Sequence, residues 1–422
     1  SIIFFFNDTA TPEIYTLSST TLFRSGAVTA MVLDGQDLYV GGEFRIAGGR
    51  SARGVARWDG RNWYPLGAGV DGSVRAMALF GGELYVGGGF QEAGGEAMSH
   101  LARWDGSTWA AVGSGINDWV TAMVEHEGVL FVLGSFSQAG GLSVSGAARW
   151  DGNTWMQAGT HSFFQPSALA VIDGELHAAA CGLGSPDNQR CGLLRWTGSD
   201  WELAVHGFNL SIQAMTRFDD QLIVGGRFTH DVSTELNGIA RWDGQAWLSM
   251  EGGLSHDWVT PEVRVLTVFD GQLYAGGIFL EIGGERVNNL ARWDGTNWHG
   301  LGQGVTRATL AGVPNVNSLL PDGDFLWVGG LFMAADGDRD IRHLARWKDG
   351  TYQALGEKLG FREGRFQLTL FPERGVSYGI EASTNLVDWE RIVTFTSLEE
   401  AAAFIDEESA RQPRRFYRAV SP

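Results

Sequence analysis

The dipeptide Arg-Trp recurs seven times along this chain at nearly constant spacing. Its Trp positions are Trp58, Trp104, Trp150, Trp196, Trp242, Trp293 and Trp347, separated by 46, 46, 46, 46, 51 and 54 residues. One copy, Val74 to Gly115, divides into four short apolar runs: Val74–Leu79, Leu84–Phe90, Leu101–Trp104 and a last run starting at Trp109. Gly81-Gly82, Ala93-Gly94-Gly95 and Asp105-Gly106-Ser107-Thr108 lie between them. Asp-Gly between apolar runs favours a hairpin, because Gly accepts positive φ and the carboxylate caps nearby backbone N–H groups. No segment carries a sustained 3.6-residue periodicity, so the body reads as all-β. A period of about 40–50 residues with four strands per copy predicts a seven-bladed β-propeller over residues 26–358.

Columns through the repeats have physical reasons. Small residues open the first strand of each copy at Ala30, Ala76, Ala122, Ala168, Ala214, Val265 and Ser318; first strands crowd the central axis. Gly in the second strand, as at Gly42 and Gly88, admits close backbone approach, and Phe44, Phe90 and their equivalents follow two residues later. Thirteen of the 17 Trp belong to the repeat, so their rings are expected to be inter-blade packing, not ligand platforms. The Arg before each Trp is expected between blades, stacked on a ring or paired with an Asp.

The formal net charge is −18 and the basic charge is almost wholly Arg, with Lys only at Lys348 and Lys358. That balance argues against nucleic acid, whose phosphates need a basic face. No apolar run approaches the ~20 residues that span a bilayer, so no membrane insertion is expected. Cys181 and Cys191 sit at opposite ends of one loop in repeat four. A disulfide closing that loop would place the protein in an oxidising compartment; two buried free thiols are the alternative.

Two segments fall outside the period. Residues 1–25 contain no Gly, while the rest of the chain contains all 60. Asn7-Asp8-Thr9-Ala10-Thr11, Glu13-Ile14-Tyr15-Thr16-Leu17-Ser18 and Thr20-Thr21-Leu22-Phe23-Arg24-Ser25 resemble a translated sequencing adapter, a contaminant of metagenomic gene calls. This segment is therefore expected to be non-native, to touch the propeller little, and to have replaced the true N-terminus with any signal peptide it carried. Residues 361–422 offer five strand candidates separated by charged turns, as in a small β-sandwich-like module. Through Ile380-Glu381-Ala382-Ser383-Thr384, Asp388-Trp389 and Phe416-Tyr417-Arg418 they resemble a fibronectin-type-III-like module of exported bacterial proteins.

The unit LYVGG-x-F-x-x-AGG…ARWDG-x-x-W resembles the kelch-like, galactose-oxidase-type repeats of bacterial exported propellers and of fungal cell-cortex landmark proteins. That resemblance implies a surface propeller that binds or scaffolds. Galactose oxidase holds copper with two Tyr and two His; here nine scattered His show no such pairing. Sialidase Asp boxes are similar to Asp105-Gly106-Ser107-Thr108-Trp109 and Asp151-Gly152-Asn153-Thr154-Trp155, which lack one residue between Asp and Gly. Asp336-Gly337-Asp338-Arg339-Asp340 alternates carboxylates like a calcium loop, but Trp347 stands at the twelfth position and the loop reads as solvated acid. No metal, cofactor or catalytic group is expected.

The expected function is exported and non-catalytic: recognition of a glycan or protein partner by an extracellular or cell-surface monomer, of bacterial type. A carbohydrate-active enzyme with a top-face pocket (oxidase, lyase or hydrolase) and a structural spacer of a surface adhesin are the alternatives. The site is expected on the face bearing the inter-blade loops, where the connections before Val263 and Val316 are longer than the template. Non-repeated side chains gather there: Asp118-Trp119, Asp257-Trp258, and Arg75 and Arg264, second in their strands. Trp faces with Asp and Arg partners suit a sugar, through stacking and bidentate hydrogen bonds.

Overall fold

The alternation of short apolar runs with Gly-rich turns gives short antiparallel strands throughout and, among the described residues, no helix. The computed structural model describes residues 2–4, 23–24, 26–182, 190–306, 313–336, 341–348, 351–353, 358–362, 365–370, 377–383, 388–396, 402–406 and 416–420. Two compact units emerge: Leu22–Gln353, and Ser1–Thr21 together with Ala354–Pro422.

Within the first unit, the described residues form seven four-stranded antiparallel sheets, in five of which short strands of separate small sheets interrupt the chain between the second and third strands. Blade two runs Ser73–Phe80, Glu83–Gly89, Leu101–Trp104, Trp109–Ala111. The first strand of every blade packs beside that of the next, and the first strand of blade seven, Asn315–Asp322, returns to that of blade one, Val28–Asp34. The ring is a closed β-propeller. Its closure uses side-by-side packing: a Cβ on Gly329 would strike Val28, and Asn317 Nδ2 donates to Val28 O at 3.2 Å.

The repeated Trp hold neighbouring blades together. Trp109, Trp155 and Trp201 donate their indole N–H to Leu66, Val112 and Ala158 carbonyls of the preceding blade, at 2.8, 3.0 and 3.0 Å. Trp109 and Trp155 also floor Gly-Gly turns: Gly140 (φ +59°) lies so close that any Cβ there would collide with the Trp155 ring.

The Arg column departs from expectation. Instead of bridging blades, five of these Arg reach the opening of the second strand in their own blade, 20 residues earlier. Arg57 meets Asp37, Arg103 meets Glu83, Arg195 meets Glu175, and Arg241 and Arg292 meet Gln221 and Gln272. Where that opening position is apolar the guanidinium stacks instead: Arg346 lies 4.0 Å over Phe325, and Arg149, in a blade whose second strand opens at Val129, lies between blades as expected, 5.3 Å over Trp196 of the next one. The reason is register. Antiparallel pairing sets the Arg one diagonal step from the opening residue, so a nearer partner wins.

At the Asp-Gly end, Asp59, Asp105, Asp151, Asp243 and Asp294 each accept two backbone N–H groups, from residues two and three positions on. These bonds favour the carboxylate. The Asn297 N–H and the His299 ring hold Asp294 down at about 2.

Blade four breaks the pattern. It lacks the Phe that is fully buried in the other six blades, and carries Cys181 and Cys191 directly opposite each other. They are joined by a disulfide, with Cα atoms 3.8 Å apart, closer than the 4.4–6.8 Å expected. Phe208, from the long fourth strand Trp201–Phe208, fills the gap against Phe228 and Trp247.

The second unit has two sheets. One pairs Lys358–Arg362, Arg365–Leu370 and Ala402–Asp406; the other joins Ser377–Ser383, Glu390–Thr396 and Phe416–Val420 with Ile2–Phe4 at its edge. The strand at Lys358–Arg362 was not among the five candidates. From the segment expected to touch the propeller little, Phe23–Arg24 pairs its backbone with Ile46–Ala47 of blade one. That is the position Val70 and Ile116 occupy before blades two and three. Backbone pairing needs only an extended chain, so the slot places little demand on side chains.

Candidate functional site

The inter-blade connections share one end of the ring with the loops between second and third strands. They pair there directly: Leu254–Ser255 with Glu281–Ile282, Val305–Thr306 with Ala334–Ala335, Val70 with Ala93. All six proposed site residues lie at this end.

In six blades the ladder between first and second strands slips once, leaving one first-strand residue unpaired: Thr29, Arg75, Thr121, Gln213, Arg264 and Asn317. Ser167 lies within the wider slip of blade four. A bulge re-aims its side chain, and here it turns six of the seven toward the next blade or the connection leading into it. Thr29 donates to Val74 O, Ser167 to Ile212 O, Asn317 to Val28 O and Gln213 to Glu262. The column sits between two repeated ones, yet it holds Thr, Arg, Thr, Ser, Gln, Arg and Asn. The backbone is constant while the side chains vary.

Two clusters stand on this rim. In the first, Arg75 lies 4.5 Å over the ring of Trp119, a contact of the cation–π type. The indole also lies against the backbone at Gly89, and Asp118 accepts the Trp119 backbone N–H at 2.7 Å. Trp119 is 44% exposed, with its surface shared between Arg75 and blade two. In the second, Glu262 is buried and its carboxylate is bracketed by Arg264 Nε, Arg227 Nε at 3.4 Å and Gln213 Nε2 at 3.2 Å. Arg264 Nη1 donates to Asn317 Oδ1 at 2.7 Å. Blades five, six and seven thus meet around one carboxylate and two guanidiniums.

Trp258 stands apart on the connection leading into blade six, 85% exposed. Its backbone N–H bonds His256 Nδ1 at 3.2 Å, and the two rings meet edge to face at 6.2 Å. Burial pushes the His256 imidazole down, against the pull of Asp257. Among the described residues, no hydrogen bond, ion pair or ring contact joins Trp258 or Asp257 to Trp119, Asp118 or Arg264. The six residues therefore form three groups around the rim. Sequence reading missed Glu262, Arg227, Gln213 and Asn317; only Gln213 and Asn317 lie in the unrepeated column that repeated ones flank. Of the acidic loop, Asp336 accepts the Gln303 N–H at 2.8 Å, while residues 337–340 lie outside the described residues. Among the described residues no group of three His, Cys, Asp or Glu side chains is placed to hold a metal, and no helix is long and apolar enough to cross a membrane.

No family model matches the chain, and no curated protein does. Solved structures similar to it include a β-propeller domain. The β-propeller domain of the trilobed protease from Pyrococcus furiosus, titled as having an open velcro topology, is 13% identical, with a TM-score of 0.47. The match covers 79% of this chain and 98% of that one. A computationally designed protein is 14% identical at a TM-score of 0.46, covering 82% and 94%. The acylaminoacyl peptidase of Pyrococcus horikoshii is 11% identical at 0.47, covering 85% of this chain and 60% of its own. Likeness at this level passes on no role.

Proposed function

We propose that the chain is a kelch-like, exported propeller that binds a glycan or protein partner through its inter-blade face and does no chemistry on it. Trp258 carries the reading. A large indole held almost wholly in water, on a connection that interrupts the repeat, contributes little to the core and offers a flat apolar platform. The varied rim beside it supplies hydrogen-bonding groups already fixed by bulges, so a partner would bind without first ordering them. The disulfide in blade four supports an oxidising, extracellular setting.

Glycan-array binding by wild type, Trp119→Ala, Trp258→Ala and the double variant tests this. Trp258→Ala is expected to lose at least about tenfold in apparent affinity, the scale of one stacked ring, and Trp119→Ala less. Equal binding by wild type and the double variant rejects the site.

A further inference from the structure

We infer that the Arg227–Arg264 cluster is an anion fork for the carboxylate of an acidic sugar, a uronate, presented to the same face as Trp258. This rests on the glycan reading and narrows it to a substrate class.

The cluster holds two guanidiniums against one carboxylate, a local positive excess in a protein of net charge −18. Glu262 is too buried to be the group that meets a ligand, with its side chain 7% exposed. Its role is positioning: each Arg turns its Nε inward to the acid, which aims the terminal nitrogens away from it. Arg227 is half-exposed and Arg264 about one-third exposed. Among the described residues, the Arg227 terminal nitrogens meet no protein acceptor, and those of Arg264 meet only Asn317. Guanidinium presents its donors in a planar fork that matches a carboxylate bidentately, so an outward-facing pair of forks selects that shape.

The stacking ring belongs to the same stretch of chain. Trp258 and Arg264 lie six residues apart on the connection entering blade six. A pyranose offers one apolar face for an indole, and a uronate adds one carboxylate at the ring's edge. A neutral sugar would leave both forks unmatched; a uronate uses both elements.

The test is titration calorimetry of the full chain with tetragalacturonate and with its fully methyl-esterified form, alongside tetramannuronate and a sulfated, uronate-free oligosaccharide. At least one uronate is expected to bind ten times more tightly than its ester or the sulfated probe. Arg264→Gln and Arg227→Gln are each expected to bring acid binding down to the ester's level and leave ester binding unchanged, the scale of one lost charge-assisted pair. Melting temperatures are read on every variant. If Arg264→Gln fails to fold, Arg227→Gln decides, since Arg227 lies nearer solvent. Equal affinity for acid and ester, survival of acid binding in the folded variants, preference for the sulfated probe, or no binding of either uronate overturns the inference. Where one of those outcomes overturns the fork, loss of ester binding in Trp258→Ala would still support the glycan reading. Acid binding indifferent to Trp258→Ala would retain the fork without the stacking ring.

Discussion

The two ends of the blades solve opposite problems with the same backbone. At the Asp-Gly end, five turns repeat one arrangement, an Asp capping the N–H groups two and three residues on. At the other end, six blades repeat one bulge and vary what it carries, from Thr29 to Arg75 to Asn317. Repetition marks the end that closes each blade. Variation under a constant backbone marks the end where neither blade closure nor the turn dictates the side chain.

If that division holds, substitutions in the repeat should unfold the ring, and those on the rim should leave it standing. The largest effect is expected at Trp155, buried, bonded to Val112 and roofed by Gly140: Trp155→Ala should cost about 3–5 kcal/mol in denaturant unfolding. A cost below about 1 kcal/mol would mean that the Trp column is not the inter-blade glue.

Blade four tests whether a disulfide substitutes for the missing Phe. Replacing both Cys181 and Cys191 by Ser should cost about 2–3 kcal/mol, measured against the oxidised wild type. Added reductant should change the wild type and leave the double variant unmoved.

Two adjacent glycines separate packing from backbone strain. Gly140→Ala meets both a positive φ and the Trp155 ring; Gly141→Ala meets only a positive φ, with open space around it. The first should cost more than the second by at least about 1 kcal/mol. Equal costs would place the turn's demand in φ alone.

The smallest per-residue effect comes from acid. The lowered carboxylates of Asp105, Asp151, Asp200, Asp243 and Asp294 contribute stability that is fully present above about pH 4, the range of an unfolded Asp. It is lost as pH falls through their folded values, about 2 for Asp200 and Asp294. Unfolding midpoints should therefore drop between about pH 4 and 2, and Asp294→Asn should flatten the slope slightly. An unchanged slope in a variant lacking all five carboxylates would remove the caps from the account.

Much of this was legible in the sequence because repetition makes structural roles visible. The Arg-Trp period, the Asp-Gly turns and the second-strand Gly each appear as columns, and a column averages away local ambiguity. The rim resists that reading for the same reason. Arg75 and Arg264 stood out as charges where neighbours had none, but Gln213 and Asn317 look like ordinary drift. Glu262 and Arg227 come from different columns and meet only when blade five lies beside blade six. Proximity created by ring assembly leaves no local periodic trace. The strand at Lys358–Arg362 was missed on different grounds: five residues with two charges and a Gly carry too weak an alternation to register.

The way the ring is shut has a mechanical consequence. Every other pair of neighbouring blades is also tied by a covalent connection, whereas blades one and seven are held only by contacts such as Asn317 to Val28. The chain enters the ring at blade one and leaves it from blade seven, so tension applied through those two points falls across that unlinked seam. Under load the ring would part there first, like a bracelet at its clasp, and the remaining blades would then peel away one at a time from each free edge.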